Sequence, residues 1–274
     1  MVPSSMLFAC IISGESSVEF DALCENPSVQ YANTFSREEL PSFQVFKNIL
    51  SPTERKNLSE FVHNVGLSPD PISLYFHERR KNICFIKVVD GGFELMNKNH
   101  FKQSEKYNDF SGGYERYLDL IPEHLVLGSM SNLLTFFIEH LRIPVNTIIL
   151  AQLQSSLIRD KIDCGDVTGQ GIHTDGTDDF MLVCVERDNV NGAENQYHAT
   201  LDGSQLLGKS TLEAGDGVIV KDNEIFHYVT NATTIEPIAH RIMILIHSPF
   251  DGSGEQNPNN KLGTNPATNQ LRYG

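Results

Sequence analysis

Residues 171–180 read GIHTDGTDDF, so His173 and Asp175 stand two apart, beside a glycine and ahead of an apolar run. On a strand, or at its end, that spacing projects both side chains to one side. An imidazole and a carboxylate so placed are half of a metal site, and the rest must come from elsewhere in the chain. There are 10 histidines to draw on, and context sorts them. His198 sits in a polar, hairpin-like strand, while His240 and His247 flank an apolar one. His227, in KDNEIFHYVT, follows a turn and opens a new strand, a rim position from which a ligand could meet the first pair. Arg241 comes next, on a strand whose alternation leaves its side chain facing either inward or outward.

Two imidazoles and one carboxylate on one face of a metal leave three positions open, an arrangement suited to non-haem Fe(II). A bidentate 2-oxo acid can take two of these and O2 the third. The far carboxylate of such an acid needs a fixed cationic fork, for which arginine has the better geometry. Arg241 is the candidate, with Thr200 and Thr230 as supporting hydroxyls. The pattern alone leaves a second reading open, since His-x-Asp arises in unrelated chains and a lone strand histidine is commonly structural. Asp178 and Asp179 read as turn carboxylates rather than ligands.

The elements that must position these groups change texture near residue 145. Before it, LSPTERKNLSEFVHNVGL carries a helix start, with Ser51 as cap, Pro52 at the first helical position and Glu54 three after the cap. The pattern runs to about Gly66, and a second helix is expected over 131–141, stopped by Pro144. After residue 145 come six short apolar segments separated by NGAE, LDGS, EAGDG and KDNE turns. The expected fold is α+β, a double-stranded β-helix of the jelly-roll or cupin-like kind, with helices packed on it from the N-terminal half. One domain is expected over 1–248, helical to about 144 and jelly roll from about 145, followed by a polar tail over 249–274.

Composition narrows the function classes. The chain has 274 residues, 40% hydrophobic and 20% charged, as a water-soluble globular protein does. Its formal net charge of −14 argues against general binding to nucleic acid or anionic membranes. No apolar run approaches the ~18 residues of a membrane span. The run MLFACII is short and no Lys or Arg precedes it, so a secretory signal is not expected. The five cysteines, Cys10, Cys24, Cys84, Cys164 and Cys184, contain no C-x-x-C pair, which fits free thiols in a cytoplasmic protein and excludes a four-cysteine zinc site.

The block GIHTDGTDDFMLVCVERDNVNGAENQYH, followed by VIVKDNEIFHYVTNATTI and HRIMILI, resembles the 2-oxoglutarate/Fe(II) dioxygenases of the isoleucine dioxygenase-like, free amino-acid hydroxylase type. More distantly, the chain is similar to kainoid synthases, which use such an iron centre to close a pyrrolidine ring on an N-prenylated glutamate. The resemblance covers roughly residues 110–248. It implies His173, Asp175 and His227 as iron ligands and Arg241 as the 2-oxoglutarate anchor, with Fe(II), 2-oxoglutarate and O2 required and ascorbate supportive. Arg187 in ERDNVNGAE matches the family's hairpin arginine, and GGYERYLDL offers Arg116 and Tyr117 as substrate-pocket residues. Ala193 stands where the family's hairpin has a glycine, and AQLQSSLI lacks the basic residue the family places near the substrate.

The implied substrate is a free or modified amino acid, whose carboxylates need partners. Arg79, Arg80, Arg116, Arg159 and Lys161 are available, and Gln152 or Gln154 could point into the barrel. For Arg79 and Arg80, in FHERRKN, a solvated surface position is the favoured reading. Three further classes compete: a protein or peptide hydroxylase, a cupin-like metalloenzyme that consumes no 2-oxoglutarate, and a jelly-roll binding module without chemistry.

Overall fold

The structure is a computed structural model, and it describes residues 39–70, 78–108, 112–159, 170–234 and 236–255, together with 257 and 262. Cys10, Cys24, Cys164, Lys161 and most of the C-terminal tail lie outside the described residues. In chain order the elements are β1 (Phe43–Phe46), α1 (Pro52–Asn64), β2 (Ser68–Pro69), β3 (Glu78–Val89), β4 (Gly92–Met96), β5 (His100–Lys102) and β6 (Glu115–Tyr117). There follow α2 (Glu123–Val126), α3 (Ser131–His140), β7 (Ile148–Arg159), β8 (Asp179–Asp188), β9 (Val190–Gly192) and β10 (Asn195–His198). The chain closes with β11 (Leu206–Ser210), β12 (Gly217–Val220), β13 (Phe226–Val229), β14 (Ala232–Thr234) and β15 (Ile238–Ser248).

A large antiparallel sheet runs β1-β12-β8-β15-β7-β3-β2, with β4 also paired to β3. A second sheet runs β11-β10-β13, and together they make the two faces of a double-stranded β-helix. Alternation along the strands assigns each face of the large sheet a task. Ile242, Ile244 and Ile246 of β15, with Ile149, Ala151 and Leu153 of β7, enter the main core. Their alternates, Arg241, Met243, Leu245 and His247 with Leu150, Gln152 and Gln154, line a cavity on the opposite face. Of the two orientations open to it on this strand, Arg241 takes the inward one.

Helices α1 and α3 cover the core face. Ser51 caps α1 through the reciprocal box with Glu54, and Leu58 and Val62 are buried against the sheet beside Leu133, Leu134 and Phe137 of α3. Removing Leu58 down to alanine would cost about 2–5 kcal/mol at such a site.

The N-terminal half departs from its helical reading. It contributes β1–β6, including the 12-residue strand β3, which pairs along its length with β7. Both faces of β3 are covered, so its residues are buried almost continuously and show no period-2 pattern. The polar stretch ERRKN at its start hid it further, because Arg79 and Lys81 of that stretch face the cavity rather than solvent.

Candidate active site

His173 lies just ahead of β8, and His227 is on β13. Their backbones form an isolated antiparallel bridge, with His173 N–H donating to His227 O at 3.0 Å and the return bond at 2.8 Å. The two rings stand 4.2 Å apart, centre to centre. Asp175 completes the group, its carboxylate 3.9 Å from His173 Nε2 and 3.6 Å from His227 Nε2. One ligand atom from each of the three lies within 4.8 Å of the other two, which is metal-ligand spacing.

The surrounding residues prepare these atoms. His173 Nδ1 lies 2.8 Å from Gly171 O, which it meets as a donor, leaving Nε2 with its lone pair toward Asp175. His227 Nδ1 faces Asp222 Oδ1 at 3.5 Å. Burial, then the neighbouring His173, lowers the His227 pKa to about 3, so its ring is neutral, the form that binds metal. Asp222 also organises the loop, accepting from the backbone N–H groups of Asp175 (3.0 Å) and Thr177 (2.8 Å). Gly176 has φ +84°, and the Tyr107 ring occupies the space a Cβ would need, so glycine is required there.

Burial alone would raise the carboxyl of Asp175. The imidazoles around it, His247 first and then His227 and His173, outweigh that and hold it well below the usual carboxylate range. His247 thus joins the site without having been expected there, its Nε2 3.2 Å from Asp175 Oδ2 and its Nδ1 3.4 Å from Gln152 Nε2. The signal was available in the sequence, since residues 241, 243, 245 and 247 share one face of a strand.

Two cationic regions border the cavity. Arg241 is 4% exposed, and its Nε has no acceptor. Burial lowers its pKa to about 10, yet it remains a full cation near neutrality. The second region gathers on β3 and β6. Arg79 Nε donates to Asp70 at 2.8 Å, and Lys81 Nζ donates to Gln152 Oε1 at 3.3 Å while lying 3.6 Å from Asp70. Arg116 Nη2 donates to Gln103 Oε1 at 3.1 Å, its guanidinium rests on the Phe101 ring, and its Nε has no acceptor. Gln103 Nε2 in turn donates to the Asp175 carbonyl at 3.3 Å, linking this region to the His–Asp–His group.

Several expectations are corrected. Arg79 is buried in the cavity wall rather than solvated, whereas Arg80 is exposed as expected. Arg159 is exposed and pairs with Glu78. Tyr117 is 62% exposed and lies outside the cavity, because alternation on β6 turns it away from the face of Arg116. Thr200 and Thr230 also lie outside it. The Thr200 hydroxyl accepts from Gln205 N–H in a turn, and that of Thr230 accepts from Glu194 N–H, so local backbone uses both. Gln152 and Gln154 do line the cavity. AQLQSSLI itself brings no basic residue to the cavity, but on the next strand Lys81, the register partner of Gln154, lines it. In the hairpin, Arg187 donates to Gly192 O, and Ala193 sits at φ +51°, the left-handed region its glycine counterpart would favour.

The model of the 2OG-Fe dioxygenase family matches residues 65–247, most of the chain. The chain belongs to that family. It is therefore an Fe(II)- and 2-oxoglutarate-dependent dioxygenase, and the reading of a cupin-like enzyme that spares 2-oxoglutarate falls away, as does that of a binding module. No curated protein matches this dioxygenase. Solved structures share its fold. A bsmA homolog from Methylobium petroleophilum PM1 superposes with a TM-score of 0.63 at 23% identity, covering 79% of this chain and 91% of that one. IDO from Bacillus thuringiensis gives 0.60 at 14% identity, over 77% and 94%. The Fe(II)/(alpha)ketoglutarate-dependent dioxygenase TqaL gives 0.51 at 15% identity, over 78% and 82%. Among the described residues no helix is long and apolar enough to cross a membrane.

The residues present fit the family's cofactors. The donor set is two neutral-capable imidazoles and an ionised carboxylate, which suits Fe(II). The acceptorless, buried Arg241 suits a carboxylate of 2-oxoglutarate.

Proposed function

We propose that this dioxygenase acts on a small amino-acid-derived anion, with His173, Asp175 and His227 holding iron and Arg241 anchoring 2-oxoglutarate. Arg79, Lys81 and Arg116 receive the substrate's carboxylates. The observation that carries this reading is the charge of the cavity wall. Away from Arg241, three basic side chains gather there against Asp70 among the described residues, and all are buried. Burying such a group is costly unless an anion arrives to pair with it. An N-prenylated glutamate, as used in kainoid ring closure, carries two carboxylates and matches that excess.

With the cofactors bound, oxidative decarboxylation of 2-oxoglutarate to succinate and CO2 supplies the power to remove a hydrogen atom from an unactivated C–H bond. The chain's own part is positioning and exclusion of water. Asp222 fixes the loop that presents Asp175, and Gly171 O fixes the His173 ring. Gln103 couples the substrate-binding Arg116 to the backbone of Asp175, so substrate placement and ligand placement are mechanically joined. Hydroxylation and ring closure differ only in what the substrate radical meets first. Phe101, Leu150 and Leu245 give the apolar wall against which an alkene would be held.

The test is mass spectrometry of the purified protein with Fe(II), ascorbate, 2-oxoglutarate and a panel of amino acids and N-alkylated glutamates. Succinate formed in step with a product one oxygen heavier means hydroxylation, and a product two hydrogens lighter means ring closure. Coupled turnover of peptides and of none of the small anions would overturn the substrate assignment.

A further inference from the structure

A second His–carboxylate–His group lies on the opposite face of the large sheet. His63 Nε2 is 3.0 Å from both oxygens of Glu186, and His240 Nδ1 is 2.9 Å from Glu186 Oε1. The imidazole rings are 4.8 Å apart, centre to centre, and one ligand atom from each residue lies within 4.8 Å of the others. The three residues come from separate elements. His63 is in the last turn of α1, Glu186 is on β8 and His240 is on β15.

A bulge creates the juxtaposition. Ile242 pairs with Glu186, but Met243 pairs with Cys184, so Val185 is an extra residue in β8. Strict alternation from Cys184 would turn Glu186 into the cavity; the bulge re-aims it toward α1. His240, alternate to Arg241, faces the same way. Ser59 Oγ donates to Glu186 Oε2 at 2.6 Å and fixes the carboxylate from outside the group, as an outer partner does at metal sites. His63 is half exposed while Glu186 and His240 are largely covered, so one side of the group is open to a water ligand.

We propose that His63, Glu186 and His240 form a second metal site, for zinc or a similar divalent transition ion, that clasps α1 to the sheet. Imidazole and carboxylate donors suit such an ion, and the 2.9–3.0 Å His–Glu hydrogen bonds would open by only a few tenths of an ångström to the ~3.3–3.4 Å edge of tetrahedral ligands ~2.0–2.1 Å from a shared centre. The role is structural, because the site opens on the helix face, away from the cavity that holds Arg241.

The experiment uses the full chain with Asp175→Ala and His227→Ala, which disables the central group, and zinc alone as the probe. Metal content after equilibrium dialysis should be one zinc per chain, and saturating zinc should raise the melting temperature. Adding His63→Ala, a half-exposed helix position, should weaken zinc by more than ~100-fold, since loss of an outer partner alone costs about 10–100-fold. Cobalt titration of the chain with an intact central group should show two sites, reduced to one by His63→Ala. Absence of zinc from the central double variant, or a content unchanged by His63→Ala, would overturn the second site. Two zinc ions in the central double variant would instead count against the iron-ligand assignment and leave this site standing.

Discussion

The two cationic regions of the cavity are built in different ways. At one end Arg241 on a central strand lines the cavity, acceptorless at Nε, between β7 and β8, where its register partner Arg187 stays outside the lining. At the other, Arg79, Lys81 and Arg116 are cross-linked through Asp70, Gln152 and Gln103. A single pre-aimed guanidinium suits one invariable carboxylate. A network of several short links suits a larger anion whose groups must be held in register with a C–H bond. On the proposed reading the difference separates co-substrate from substrate, and it can be broken experimentally at either end.

The largest effect falls on both ends together. Asp175→Ala or His227→Ala should abolish succinate formation with and without substrate, a loss beyond the ~10–100-fold seen when an outer metal partner is removed. Retained turnover in either variant would remove the ligand assignment. Arg241→Ala comes next. Truncating one partner of a buried charge pair costs about 2–5 kcal/mol, so the KM for 2-oxoglutarate should rise by between ~30-fold and several thousandfold while that for substrate changes little. Steady-state kinetics with each compound varied in turn separates the two. Lys81→Met or Arg116→Met should be smaller and opposite in sense, about 10–150-fold on substrate KM from loss of a ~1.5–3 kcal/mol charged hydrogen bond. Slow uncoupled consumption of 2-oxoglutarate should persist in both variants.

The smallest effect is a pH dependence. Burial lowers the Lys81 pKa to about 7, with Asp70 opposing and Arg79 and Arg116 assisting the shift. Below that pH Lys81 is a cation and attracts an anionic substrate; above it the charge is lost. The kcat/KM for substrate should therefore fall as pH rises through about 7, and Lys81→Arg should flatten the decline. A profile that rises across the same window would place the substrate elsewhere.

Much of this architecture was legible in the chain, for identifiable reasons. The helix beginning at Ser51 has a complete capping signature, and β7, β8 and β15 carry long apolar runs bounded by turns. His173 and Asp175 could be picked out because an i, i+2 pair at the mouth of an apolar strand offers both side chains to one ion, and His227 because it opens a strand at the rim. What escaped depended on tertiary context. β3 is buried on both faces and begins with charges that point into a cavity, so neither its period nor its polarity marked it. Glu186 is re-aimed by a bulge that no local pattern announces. Thr200 and Thr230 had the right chemistry but local turns to satisfy, and His247 was passed over although it shares Arg241's face of β15.

Anaerobic calorimetry of 2-oxoglutarate binding to the Fe(II)-loaded protein, in the unaltered chain, Arg241→Ala and Lys81→Met, most directly tests the division of the cavity. Affinity lost in Arg241→Ala and preserved in Lys81→Met is the expected result. Affinity preserved in Arg241→Ala and lost in Lys81→Met would exchange the two ends and contradict it.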